Sequence, residues 1–121
     1  SDEQIRALID RGAVVGSAFD AWMLAPRWIR GQTTPEAAGV TLRTVVDHID
    51  HVCQIAGNAH HAGIGTDLDG GYGREQSPSD LDSIADLPRI AEHLAERGYS
   101  AEDVTNIMCG NWIRFLRAAW C

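Results

Sequence analysis

The segment Asp67-Leu68-Asp69-Gly70-Gly71 puts two carboxylates and two glycines directly after the short run His61-Ala62-Gly63-Ile64-Gly65-Thr66. A carboxylate at the end of a buried strand can act as general base toward a metal-bound water and then as acid toward a leaving amine. Neighbouring glycines let a ligand approach the backbone closely. Side chains alternate along a strand, so Gly63, Gly65 and Asp67 share one face, and Ala62, Ile64 and Thr66 share the other. If the glycine face points into a barrel, Asp67 stands at its top with open space beneath. The same position also suits an Asp that merely caps the following turn through its own backbone. A calcium loop begins in a similar way, but its fifth, sixth and twelfth positions call for an acid or Asn, a Gly and a Glu. Here they hold Gly71, Tyr72 and Pro78.

Other residue types with chemical potential are less well placed. Asp47-His48-Ile49-Asp50-His51 with Cys53 gathers three kinds of metal ligand within a few residues. At 100° per residue, however, Cys53 falls within the apolar stripe of a helix, roughly 160° from His51. One ion cannot reach all three, and the pattern reads as a solvated helix face. His60 and His61 precede the second apolar run, at the strand end associated with stability more than with chemistry. The three cysteines, Cys53, Cys109 and Cys121, form no Cys-x-x-Cys pair, and an odd count is no disulfide framework. Cys53 and Cys109 are expected to be buried thiols. There is no Gly-x-Ser-x-Gly elbow and no phosphate-binding fingerprint.

The elements that must hold these residues follow from the apolar patterning. Ser1 and Gln4 have capping-box spacing, and Ile5, Leu8 and Ile9 continue on one helical face until Gly12. The run 13–19 suits a strand covered on both faces. A long loop from Asp20 to Gly39 follows, unusually rich in large apolar groups, with room for a helical turn. Leu42, Val45, Val46, Ile49, Val52, Cys53 and Ala56 recur at spacings of three and four and predict a helix ended by Gly57. After the second strand, the spacing predicts helices beginning near Asp80, from Pro88 to Arg97, from Ser100 to a stop at Gly110, and from Trp112 onward. Trp112, Phe115, Leu116 and Trp120 on the last of these read as core or a subunit contact.

Alternating α and β elements imply a parallel sheet with helices outside it. Active sites of α/β barrels lie in the loops after the strands, and the 20–40 and 68–80 loops are both of that kind. A complete barrel needs eight such units and roughly 250 residues, so two strands are about a quarter of one. The 121 residues carry 10 basic groups, all Arg, against 17 acidic ones, a net charge of −7. That balance argues against nucleic acid or an anionic membrane as partner, and the absence of Lys excludes Schiff-base and P-loop chemistry. No apolar run reaches the length of a membrane span. A soluble protein of a bacterial cytoplasm or periplasm is expected.

Three spaced motifs resemble the membrane (renal) dipeptidase family. Gly63-Ile64-Gly65-Thr66-Asp67-Leu68-Asp69-Gly70 is similar to its signature near the C-terminal end. Arg97-Gly98-Tyr99-Ser100-Ala101-Glu102-Asp103-Val104 and Gly110-Asn111-Trp112-Ile113-Arg114 resemble its closing motif, and Asp2-Glu3-Gln4-Ile5 with Gly12-Ala13-Val14-Val15-Gly16 is similar to its seventh strand and the helix before it.

The resemblance implies an α/β fold: the C-terminal part of a (β/α)8 TIM barrel, with residues 1–121 as one fragment of a single dipeptidase domain. It further implies a zinc-dependent hydrolase of dipeptides, in some members with D-residues on the C-terminal side, that tends to form homodimers. The family's eighth-strand acid, which acts on metal-bound water and substrate, falls on Asp67. Asp69 is taken as a turn and loop anchor, and Phe19 and Tyr72 lie by position where the substrate pocket is walled. The ligands of the two zinc ions belong to earlier strands and match nothing in these residues, so no metal ligand is assigned here. The expectation is a segment inactive on its own. A reading from another class makes the chain an interaction module that keeps the Asp67 motif as a structural turn.

Overall fold

The computed structural model describes residues 1–120; Cys121 lies outside the described residues. The chain opens with α1 (Asp2–Ile9), where the Ser1 side chain accepts from the Gln4 N–H and the Gln4 side chain reaches back to the N-terminus. Strand β1 (Val15–Ser17) and strand β2 (Ala62–Ile64) form a parallel pair with Val15 opposite Ala62, Gly16 opposite Gly63 and Ser17 opposite Ile64. Each is shorter than its apolar run. The connection between them holds α2 (Ala21–Leu24), α3 (Pro35–Ala38) and α4 (Leu42–Ala56). This is a β-α-β unit, the arrangement parallel strands require.

Helix α4 buries Leu42, Val45, Val46, Ile49, Val52 and Cys53 along the predicted stripe and stops at Gly57, whose φ of +69° only glycine adopts without strain. Val15, Ala62 and Ile64 pack on that side of the sheet, within the cluster that also contains Ile90, Leu94 and Ile107. No helix among the described residues is long and apolar enough to cross a membrane.

Three expectations need correction. No α-helix begins near Asp80; residues 77–88 contain only a 3-10 turn at Ile84–Asp86. The Asp80 carboxylate is used elsewhere: its Oδ1 accepts from the Leu42 N–H at 2.8 Å, capping the start of α4. Arg89, at the start of α5 (Arg89–Glu96), donates to the Asp80 carbonyl and lies 3.4 Å from its Oδ2.

Gly110 likewise does not stop a helix. α6 (Ala101–Thr105) runs through a π-turn at Asn106–Gly110 straight into α7 (Asn111–Trp120). The wider turn lets both Ile107 and Asn111 face inward with no exposure. Asn111 Nδ2 donates to the carbonyls of Ala59 (2.7 Å) and Ala62 (2.8 Å), and Arg114 donates to its Oδ1. The helix is thereby fastened to the start of β2.

The third correction concerns Cys109, which is exposed on the outer side of the π-turn, while Cys53 is buried as expected. Of the apolar residues on α7, Trp112 is half-buried, whereas Phe115 and Trp120 are exposed.

The motif Arg97-Gly98-Tyr99 is a fastening. Arg97 pairs with Asp47 and Asp50 on α4, and the Tyr99 hydroxyl donates to Asp50 Oδ1 at 2.6 Å. Burial works against the Asp50 charge, but the bonds from Tyr99, Gln54 and Arg97 hold its carboxyl below the ordinary value.

Candidate functional site

The end of β2 turns sharply at Asp67, whose backbone is left-handed at φ +58°. Such a conformation is uncommon outside glycine, and Asp is among the few residues that tolerate it. The Gly70 N–H donates to the Asp67 carbonyl at 2.9 Å and closes the turn. The Asp67 carboxylate folds over Gly70: a Cβ at position 70 would lie 2.7 Å from Asp67 Cγ. A side chain there would have to displace the Asp67 carboxylate and press on the Asp67 carbonyl, 2.9 Å away. The carboxylate is exposed, and no side chain or backbone N–H among the described residues donates to it.

The carbonyl of the preceding residue, Thr66, accepts twice. The Phe19 N–H reaches it at 3.0 Å from the end of β1, and the Tyr72 hydroxyl reaches it at 3.0 Å from the loop beyond. Burial, followed by the charges of Asp20, Asp67 and Asp69, pushes the Tyr72 hydroxyl up to about 12. It is thus a proton donor throughout the physiological range. Asp69 is exposed and accepts no hydrogen bond among the described residues, so the turn is held by Tyr72 and by the Asp67 backbone.

Asp20, Gln76 and Arg30 join this mouth without having been singled out in the sequence. Asp20, only 4% exposed, accepts at Oδ1 from the Trp22 N–H (2.9 Å) and from Gln76 Nε2 (2.7 Å). Gln76 is buried as well, and its Oε1 accepts from Arg30 Nε at 3.5 Å. The Arg30 guanidinium lies 6.0 Å from the centre of the Trp22 ring. The loops after β1 and β2 are therefore locked together by a buried carboxylate–amide pair. An Asp straight after an apolar strand run and a Gln in the following loop carry no spacing signal, because their partners come from opposite ends of the crossover.

The expected pocket residues part company. Tyr72 lines an open cleft of about 230 Å³ together with Leu68, Ser77 and Leu81. Phe19 has no exposed surface and sits in the core, and neither it nor Asp67 lines that cleft. The space expected on the glycine face is partly filled by Trp112. Its indole Nε1 donates to the Ile64 carbonyl at 2.9 Å, and a Cβ at Gly63 would meet that nitrogen at 2.6 Å. Gly16 faces the same ring, where a Cβ would lie 3.1 Å from it. These glycines serve the close approach of Trp112 to the sheet.

The histidines are dispersed. His51 Nε2 lies 2.8 Å from Asp2 Oδ1, and this contact holds the Asp2 carboxyl below its usual value. His61 Nδ1 is 2.9 Å from the Ala13 carbonyl, while His48 and His60 are exposed. Among the described residues no three His, Cys, Asp or Glu side chains are grouped so as to hold a metal ion. Zinc needs at least three protein ligands, so the residues present do not fit a zinc site by themselves.

Residues 1–120 match the family described as Membrane dipeptidase (Peptidase family M19). An uncharacterized protein in the pqqA 5′ region of Klebsiella pneumoniae is 35% identical over 120 residues, covering 99% of this chain and 40% of that protein. Dipeptidase aclJ of Aspergillus oryzae is 32% identical over 81 residues, 67% of this chain and 18% of its own length. Human Dipeptidase 3 is 35% identical over 74 residues, 61% of this chain and 14% of its own length. Among solved structures, an amidohydrolase from Pseudomonas aeruginosa superimposes with a TM-score of 0.75 at 26% identity, covering 99% of this chain and 40% of that one. The chain thus spans two fifths or less of the length of each of these proteins.

Proposed function

The chain belongs to the membrane dipeptidase family, its fold is the α/β C-terminal part of an amidohydrolase barrel, and we propose that it supplies the proton-handling carboxylate of a dipeptide hydrolase. In this reading residues 1–121 form the C-terminal portion of a single barrel domain. The observation that carries it is Asp67: an exposed carboxylate, without a hydrogen-bond donor among the described residues, held in a left-handed turn at the end of a parallel strand. Loops after parallel strands are where barrels build their active sites.

Hydrolysis of a peptide bond needs a proton removed from water as its oxygen adds to the carbonyl, and a proton delivered to the departing nitrogen. A carboxylate not already engaged by donors can do both in turn. In this reading Tyr72 lies on the substrate side, and Phe19 backs the loop from inside the core. Zinc dependence, with two ions in the complete enzyme, and homodimerisation belong to the same reading. Among the described residues no three His, Cys, Asp or Glu side chains are grouped so as to hold those ions.

The test is Asp67→Asn in the complete enzyme. The amide keeps the size of the side chain and cannot accept the proton, so dipeptide turnover should fall about 10²- to 10⁴-fold with metal content unchanged. Turnover equal to that of the unaltered enzyme would overturn the reading in favour of a structural turn.

A further inference from the structure

Tyr72 lies in the loop after β2 and lines a cleft, and its hydroxyl is turned back to the backbone. The acceptor is the carbonyl of Thr66, the residue immediately before Asp67. The Thr66 carbonyl and the Asp67 N–H belong to one rigid peptide plane, so fixing the carbonyl oxygen fixes the plane from which the Asp67 side chain departs. Two donors from different loops hold that oxygen, the Phe19 N–H and the Tyr72 hydroxyl, each at 3.0 Å. A left-handed backbone at a non-glycine residue persists where its surroundings over-determine it, and this pair of bonds is such a surrounding.

We propose that Tyr72 is a positioning residue for the reaction, its hydroxyl aiming the Asp67 carboxylate through the Thr66 carbonyl without touching the substrate. The proposal rests on the reading of Asp67 given above. It assigns to the Tyr72 hydroxyl the ordering of the turn. Burial, followed by the charges of Asp20, Asp67 and Asp69, opposes ionisation of the hydroxyl, which keeps it a donor.

The experiment is a double-mutant cycle in the complete enzyme, with Tyr72→Phe and Asp67→Asn alone and together. Tyr72→Phe should lower kcat about 10- to 100-fold, the scale of a misplaced reacting group, with KM changed less than twofold. In the Asp67→Asn background the same change should cost nothing more, because there is no proton acceptor left to aim.

Replacement of Tyr72 by 3-fluorotyrosine, which keeps ring and donor, should retain kcat; a loss there assigns the effect to packing and overturns the proposal. An unchanged kcat for Tyr72→Phe beside an inactive Asp67→Asn overturns the positioning role alone. A rise in KM at constant kcat overturns it by placing the hydroxyl on the substrate, and an additive loss overturns it by uncoupling Tyr72 from Asp67. An active Asp67→Asn removes the functional reading itself and this proposal with it.

Discussion

At the scale of single residues, the mouth of the sheet depends on polar groups whose partners are distant in sequence. Asp20 and Gln76 are both buried and joined at 2.7 Å. Replacing Gln76 by Leu would leave Asp20 Oδ1 with only the Trp22 N–H, in a place water does not reach. Loss of a hydrogen bond to a charged group costs about 1.5–3 kcal/mol. Urea denaturation of Gln76→Leu should show a loss of that size, and a midpoint equal to that of the unaltered protein would show that the pair does not lock the loops. Asp67 was legible in the sequence because a strand pattern ended on it beside glycines. Asp20 and Gln76 were not, since neither lies in a motif and each has meaning only through the other.

Among the elements, α4 was the easiest to read, because six of its side chains point to one buried stripe and Gly57 ends it. What starts it was not legible. Its first N–H groups have no intrahelical acceptor, and one of them is satisfied by Asp80, a residue far along the chain whose side chain had suggested a helix start of its own. An Asp before an apolar run signals a cap without saying which helix it caps. Asp80→Ala should therefore destabilise α4 by about 1 kcal/mol, the usual cost of losing a cap. Hydrogen exchange can localise the effect: the amides of the first turn of α4 should lose protection, and a loss confined to residues 80–88 would contradict the assignment.

The π-turn at Asn106–Gly110 was illegible for a related reason. Glycine near the end of an apolar repeat reads as a stop, but the helix continues because Ile107 and Asn111 must both reach the core and the first residues of β2. Tertiary demands reset the helical register there.

For the molecule as a whole, the order of motifs revealed the barrel, while the way the chain closes over its own sheet emerged only in three dimensions. Trp112 lies across Gly16 and Gly63, so the glycines that suggested space for a ligand make room for an indole that reaches the Ile64 carbonyl at the end of β2. Asp67, Asp69 and Tyr72 gather at the rim after β2, with Asp20 buried close by.

That rim is acidic, in keeping with a net charge of −7, and among the described residues no three His, Cys, Asp or Glu side chains are grouped so as to hold a metal ion. His51 is engaged with Asp2, His61 with the Ala13 carbonyl, and neither lies among the residues of the rim. The arrangement therefore predicts that purified 1–121, equilibrated with zinc and dialysed, retains less than one equivalent of the metal. It should also hydrolyse no dipeptide above the uncatalysed rate. Elemental analysis and an amine-release assay decide the matter: one or two retained equivalents with turnover would mean that the five histidines assemble into a centre by a rearrangement of this fold.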